Sequence, residues 1–206
     1  MSTKFYDWVV DHFAGVVKWF YKVEIEGIEN VPKEGALLVC SNHLSMADVV
    51  IMAATMPRRI TFLAKEEAFH VPILAQFIKG MCAVPIKRGS GDVGALKAII
   101  GTLKEGNVAC VYPQGHRYPG VHPSTTKVHH GVGMMAWRSK SDIMPVAFEC
   151  EGWKIKPFRK TTIKFGKVMK FDELGMEAGN YEQYEAATNK IFGKIIDLLD
   201  EKEKEA

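Results

Sequence analysis

Apolar residues fall along this 206-residue chain in short packets separated by turn residues. Runs dominated by apolar side chains at Ala36–Cys40, Ile60–Ala64, Ala83–Ile86, Val108–Tyr112 and Ile143–Glu149 predict strands, that at Ala36–Cys40 buried, and Thr161–Phe165 adds another. The alternation over Val23–Ile28 predicts one more. Between them, helical periods run over Asp48–Met56, Val71–Lys79, Val93–Glu105, Gly131–Ser139 and Tyr181–Leu199. Pro57, Gly80 and Gly106 stop three of these helices, and Pro32-Lys33-Glu34-Gly35 reads as a turn. Strands alternating with helices predict an α/β domain over residues 23–206, with a mixed, largely parallel sheet flanked by helices on both faces. Chemistry is then expected in loops at the C-terminal ends of strands.

Residues 1–22 follow a different pattern. Lys4, Asp7, Asp11, Gly15 and Lys18 recur at spacings of three and four, one narrow polar stripe on a helix. Phe5, Tyr6, Trp8, Val9, Val10, Phe13, Val16, Val17, Trp19 and Phe20 fill the rest of its circumference. A terminal helix has a packing partner on one side only, so so wide an apolar arc predicts an amphipathic helix docked in a membrane interface. Packing on its own domain, or against a partner protein, is the plainer alternative.

The chain is 47% hydrophobic and 25% charged, with a formal net charge of +3, which suits a globular domain with a real core. So mild a basic excess does not point to nucleic acid, whose binders carry a strong basic stripe. Cys40, Cys82, Cys110 and Cys150 sit singly in or beside apolar runs. They read as free thiols of a reducing compartment and match no metal-ligand spacing. No signal-peptide pattern and no run of 18 apolar residues is seen. Glu201 to Ala206 reads as a solvated helix end.

Three strand ends carry candidate chemistry. The first reads Ser41-Asn42-His43-Leu44-Ser45-Met46-Ala47-Asp48. Histidine is the side chain best suited to take a proton near neutral pH, and a carboxylate within reach fixes its tautomer. Five residues along a straight helix set two side chains about 140° apart, so His43 and Asp48 meet only if His43 precedes the helix in a turn. Ser45-x-x-Asp48 also fits a capping box, in which Asp48 serves the backbone instead. The second strand end is Gly80 to Arg88, closing in Lys87-Arg88, where a guanidinium suits a phosphate. The third is Tyr112-Pro113-Gln114-Gly115-His116-Arg117. There Gly115 permits close backbone approach and Arg117 supplies a second guanidinium.

Together these motifs resemble the glycerophospholipid acyltransferase family, typified by 1-acyl-glycerol-3-phosphate acyltransferases, over roughly residues 23–170. Asn42-His43 to Asp48 is similar to its N-H-x4-D block. Phe62-Leu63-Ala64-Lys65 through Arg88 resembles its second block, and Tyr112 to Arg117 its F-P-E-G-T-R block. Lys127 to Ala136 and Met144-Pro145-Val146 resemble later segments. The resemblance implies an acyl group passed from an acyl carrier protein or coenzyme A thioester to a lysophospholipid hydroxyl, with no other cofactor and no metal. His43 acts as base and Asp48 orients it. Asn42, Lys65, Arg88, Gln114, Gly115, His116 and Arg117 serve substrate binding. A peripheral, monotopic place on the cytoplasmic side of a lipid bilayer goes with that reading. Two positions depart from the family pattern: Gln114 stands for its Glu and His116 for its Thr. Gln keeps hydrogen-bonding reach but loses the charge. That loss motivates a second reading, a divergent or non-catalytic lipid-binding member acting on another acceptor.

Other signals are weaker. Gly89-Ser90-Gly91-Asp92-Val93-Gly94 matches a dinucleotide-binding glycine pattern, but Lys87-Arg88 intervene after the strand and the next strand ends without an acidic residue. Asp92 as a helix N-cap accounts for it better. His116, His122, His129 and His130 cluster in sequence with no known zinc spacing. Met134, Met135 and Trp137 read as core or as the lining of an acyl tunnel.

Overall fold

The predicted strand runs become the strands of a seven-stranded sheet, ordered β1-β7-β6-β2-β5-β3-β4, in a computed structural model that describes residues 3–87 and 92–200. The strands are β1 (Val23–Glu26), β2 (Leu37–Ser41), β3 (Ile60–Lys65), β4 (Ala83–Ile86), β5 (Val108–Val111), β6 (Asp142–Cys150) and β7 (Thr161–Phe165). Neighbours run parallel except β6 and β7, which are antiparallel. The helices are α1 (Thr3–Phe20), α2 (Ala47–Thr55), α3 (Pro72–Gly80), α4 (Val93–Lys104), α5 (Gly131–Ser139) and α6 (Tyr181–Asp200). The expected mixed, largely parallel α/β sheet is therefore observed, with most element ends within one or two residues of their predicted places.

Alternation along each central strand sorts the core into two layers. Leu38, Cys40, Ala109, Val111, Ile143 and Ala147 face Ile99 and Leu103 of α4, Ala136 of α5, and Ile191 and Ile195 of α6. Leu37, Val39, Cys110, Met144, Val146 and Phe148 face Tyr6 of α1 and Ile51 and Met52 of α2. Met134, Met135 and Trp137 pack against the first layer as partly buried core. The cysteines are free thiols, Cys40 and Cys110 buried in the strands.

The first helix is tied down on one side and bare on the other. Tyr6 is buried, Val10, Val17 and Tyr21 pack beside it, and Asp7 accepts two hydrogen bonds from Arg59, one of them 2.6 Å long. Phe5, Trp8, Phe13, Val16 and Trp19 remain exposed. Counted at 3.6 residues per turn, this uncovered apolar arc spans roughly 140°. Exposed Ile73, Leu74 and Phe77 of α3 continue it, the Phe77 ring meeting Phe5 edge-on. Met46 and Val50, at the start of α2, are exposed as well. Among the described residues no helix is long and apolar enough to cross a membrane.

Asp92 caps α4 as expected, accepting from the backbone N–H groups of Gly94 and Ala95. Arg88, Gly89, Ser90 and Gly91, like Glu201 to Ala206, lie outside the described residues.

Candidate active site

Strands β2 and β5 end side by side, Cys40 opposite Val111, and the loops that follow them build the site. Beyond β2 the chain is first pinned by Asn42. Its side-chain N–H donates to the Phe148 carbonyl at 2.9 Å, and its oxygen accepts from the Phe148 N–H at 2.7 Å. Asn42 is fully buried and both amide ends are engaged by β6. It is a clamp between the end of β2 and β6.

His43 then enters a tight turn organised by Asp48. The Asp48 carboxylate is fully buried and accepts from Leu44 N–H at 2.7 Å, Ser45 N–H at 2.9 Å and His43 Nδ1 at 3.0 Å. Three donors around one carboxylate compensate the burial of its charge. The 140° obstacle vanishes because residues 43–46 turn before α2 begins. The expected capping box with Ser45 as N-cap does not form: α2 is capped at Met46, and Ser45 Oγ accepts from Ala47 N–H at 3.0 Å. Asp48 takes the Ser45 N–H and holds the imidazole at the same time. A carboxylate on Nδ1 makes that nitrogen the proton carrier and leaves Nε2 with its lone pair.

The loop after β5 grips His43 from the other side. The Tyr112 ring stacks on the imidazole, centroids 4.0 Å apart and planes 17° from parallel. Burial, with the Cys110 thiol and the Asp48 carboxylate alongside, pushes the Tyr112 hydroxyl well above its ordinary range, so the ring stays neutral. Gln114 Oε1 accepts the His43 backbone N–H at 2.6 Å, and the His43 carbonyl accepts the Tyr118 N–H at 2.9 Å. Gln114 Nε2 donates to Thr126 Oγ1 at 2.6 Å, and that hydroxyl donates onward to the Pro123 carbonyl, also at 2.6 Å. Gln114 is fully buried. Its geometry makes it a brace for the His43 backbone.

Gly115 turns with φ +65°, and a Cβ there would come within 2.9 Å of the His129 ring. His116 and Arg117 follow at the exposed rim, His116 edge-on to His129 at 6.2 Å. Lys65 ends β3 on the same edge of the sheet, half exposed, its nearest carboxylate Glu67 at 4.0 Å. The structure thus gathers Asn42, His43, Asp48 and Gln114 into one buried cluster and leaves Lys65, His116 and Arg117 accessible around it. Tyr112, Tyr118 and Thr126 were missed as site residues. Tyr112 stands inside the third motif and was findable there; Thr126 reaches Gln114 only through the fold of the loop. Among the described residues no group of three His, Cys, Asp or Glu is placed to hold a metal ion. His122 meets Trp153 edge-on and His130 lies tilted against Tyr181, away from one another's partners.

The family model described as Acyltransferase matches residues 22–149, more than half of the chain. The 1-acyl-sn-glycerol-3-phosphate acyltransferase of Bacillus subtilis is 25% identical over 143 residues, which cover 69% of this chain and 70% of that protein. The chloroplastic 1-acyl-sn-glycerol-3-phosphate acyltransferase LPAT1 of Arabidopsis thaliana is 31% identical over 118 residues, 55% of this chain but only 33% of that longer protein. In fold, the chain is similar to the crystal structure of the 1-acyl-sn-glycerophosphate acyltransferase PlsC of Thermotoga maritima, with a TM-score of 0.64 at 22% identity over 92% of this chain and 82% of that one.

Proposed function

The chain belongs to the acyltransferase family, and from that premise we propose that it moves a fatty acyl group from a thioester to a hydroxyl of a phosphorylated glycerol lipid. The observation that carries this reading is the buried His43–Asp48 pair, with Nδ1 held at 3.0 Å by a carboxylate and the ring face covered by Tyr112. His43 Nε2 takes the proton of the acceptor hydroxyl as its oxygen attacks the thioester carbonyl. The carbon–sulfur bond then breaks, and the imidazolium returns the proton to the departing thiolate. Asp48 stabilises the positive imidazolium between these steps. The products are an ester and a free thiol; no acyl-enzyme forms.

Arg117 and Lys65, joined by Arg88 of the second motif, supply cations for the acceptor phosphate. Gly115 and His116 line its approach. The 1-acyl-glycerol-3-phosphate named in the relatives is the acceptor this arrangement suits, and the donor is a thioester of acyl carrier protein or coenzyme A. The uncovered aromatic arc of α1, continued by α3, favours a protein seated on a bilayer surface. We place it on the cytoplasmic side, where a thioester of acyl carrier protein or coenzyme A meets the membrane-borne acceptor. A non-catalytic lipid binder was motivated by Gln114 alone; a brace that leaves the His43–Asp48 pair intact takes that motive away.

The test is acyl transfer to lysophosphatidate and to other lysolipids with each donor, comparing the wild type with His43→Ala. Transfer by the wild type and its collapse in the variant is the expected result. Equal turnover by both would remove His43 as the base, and no turnover of any acceptor would remove the activity.

A further inference from the structure

The segment joining β6 to β7 is used by nothing in the acyl-transfer scheme. It reads Lys154-Ile155-Lys156-Pro157-Phe158-Arg159-Lys160, and all four of its cations are exposed. Lys160 pairs with Glu24 at 2.6 Å. Lys154, Lys156 and Arg159 make no ion pair with the described residues, and Lys18 and Lys22 of the neighbouring α1–β1 junction are exposed as well. At its tip Phe158 is half exposed with φ +58°, a conformation bulky side chains avoid and Asn or Gly adopt at little cost. Its backbone N–H is fixed to the Phe20 carbonyl at 2.7 Å, and its ring meets Trp19 and Phe20 at 5.4 and 4.9 Å. The chain therefore holds an aromatic ring in a strained turn that presents it outward, ringed by cations and continuous with the bare arc of α1.

Position adds a second argument. Strand β6 runs parallel to β2, so the segment leaves the sheet at the edge where His43 lies. It also touches the loop that carries Arg117: the Gly120 N–H donates to the Trp153 carbonyl at 2.9 Å, and His122 packs on the Trp153 ring. We propose that Lys154, Lys156, Phe158 and Arg159, together with Trp19, form a second lipid contact that selects anionic phospholipid and tilts the His43 edge toward the bilayer. This rests on the bilayer-surface reading given above. Aromatic rings that enter the headgroup region beside lysines and arginines that stay at the phosphates are the chemistry of an anionic interface. An acidic protein would use the cations but leave Phe158 and Trp19 without a role.

The test is co-sedimentation of the full chain with phosphatidylcholine vesicles, with and without added phosphatidylglycerol. The wild type is expected to prefer the anionic vesicles and to lose that preference as salt rises. Replacing Lys154, Lys156 and Arg159 by Gln lowers binding to anionic vesicles on the order of 100-fold and leaves binding to neutral ones nearly unchanged. Phe158→Asn, a residue suited to that φ, weakens binding to both. Unchanged anionic binding or salt dependence in the triple variant would overturn the proposal. So would loss of binding to an acidic carrier protein while vesicle binding stays whole. Transfer to a short-chain lysolipid dispersed in detergent should be the same in wild type and triple variant. Vesicle binding judges the loop and the dispersed assay judges the chemistry, so either reading can fail alone.

Discussion

The two faces of the sheet are covered by helices of opposite character. On one, α6 turns Tyr184, Ala187, Ile191, Phe192, Ile195 and Leu199 inward and keeps its charges outside. On the other, α1 buries Tyr6 and leaves Phe5, Trp8, Phe13, Val16 and Trp19 to solvent, while Ile73 of α3 is 86% exposed. Both are long amphipathic helices at the ends of the domain. An apolar stripe that matches the width of its docking groove belongs to stability; one that is far wider belongs to a second surface. Both faces hold a core layer, and the second also carries His43 and Asp48 beside the bare aromatic arc.

If that division is right, damage on each face reads out differently. The largest effect is expected from His43→Ala, which lowers kcat/KM on the order of 10² to 10⁴-fold by removing a general base. Asp48 keeps its Leu44 and Ser45 donors in that variant, so steady-state kinetics should change far more than the unfolding midpoint. Next comes Ile195→Ala on the closed face, where the side chain is fully buried. It should cost about 2–5 kcal/mol in denaturant unfolding and leave KM alone. A stability change below about 0.5 kcal/mol there would break the comparison. Trp8→Ser with Trp19→Ser should do the reverse: stability within roughly 0.5 kcal/mol of wild type, and vesicle binding lower by about tenfold or more. The smallest expected effect is at Gln114→Glu. The carboxylate still accepts from the His43 N–H but loses the amide N–H that donates to Thr126 Oγ1. With one bracing hydrogen bond gone, kcat/KM should fall by about tenfold or less. A larger fall would make Gln114 more than a brace.

Much of this molecule is legible in the sequence because its signals are local. Strand runs such as Ala36–Cys40 and Val108–Tyr112, and stops such as Pro57 and Gly106, need only neighbours to be read. His43 and Asp48 were legible as a candidate pair for the same reason, and their spacing even named the condition, a turn before the helix. Asn42 and Gln114 were not, because their partners Phe148 and Thr126 are set by strand pairing and by a loop that folds back. A polar residue beside a catalytic motif reads as a substrate ligand until the backbone it satisfies is in view. The width of the apolar arc on α1 was legible; how much of it α2 and α3 would leave bare depended on packing.

The single reversal between β6 and β7 has a consequence of parity. Because β7 runs against β6, and β1 runs with β7, the chain arrives at β1 from the same edge at which β2 and β5 end. Had the sheet stayed parallel throughout, α1 would finish, and β7 would begin, at the far edge, a strand's length from His43. One change of strand direction thus brings the aromatic end of α1, the cationic β6–β7 segment and His43 to a common rim. Whichever surface that rim meets, the chemistry meets it too.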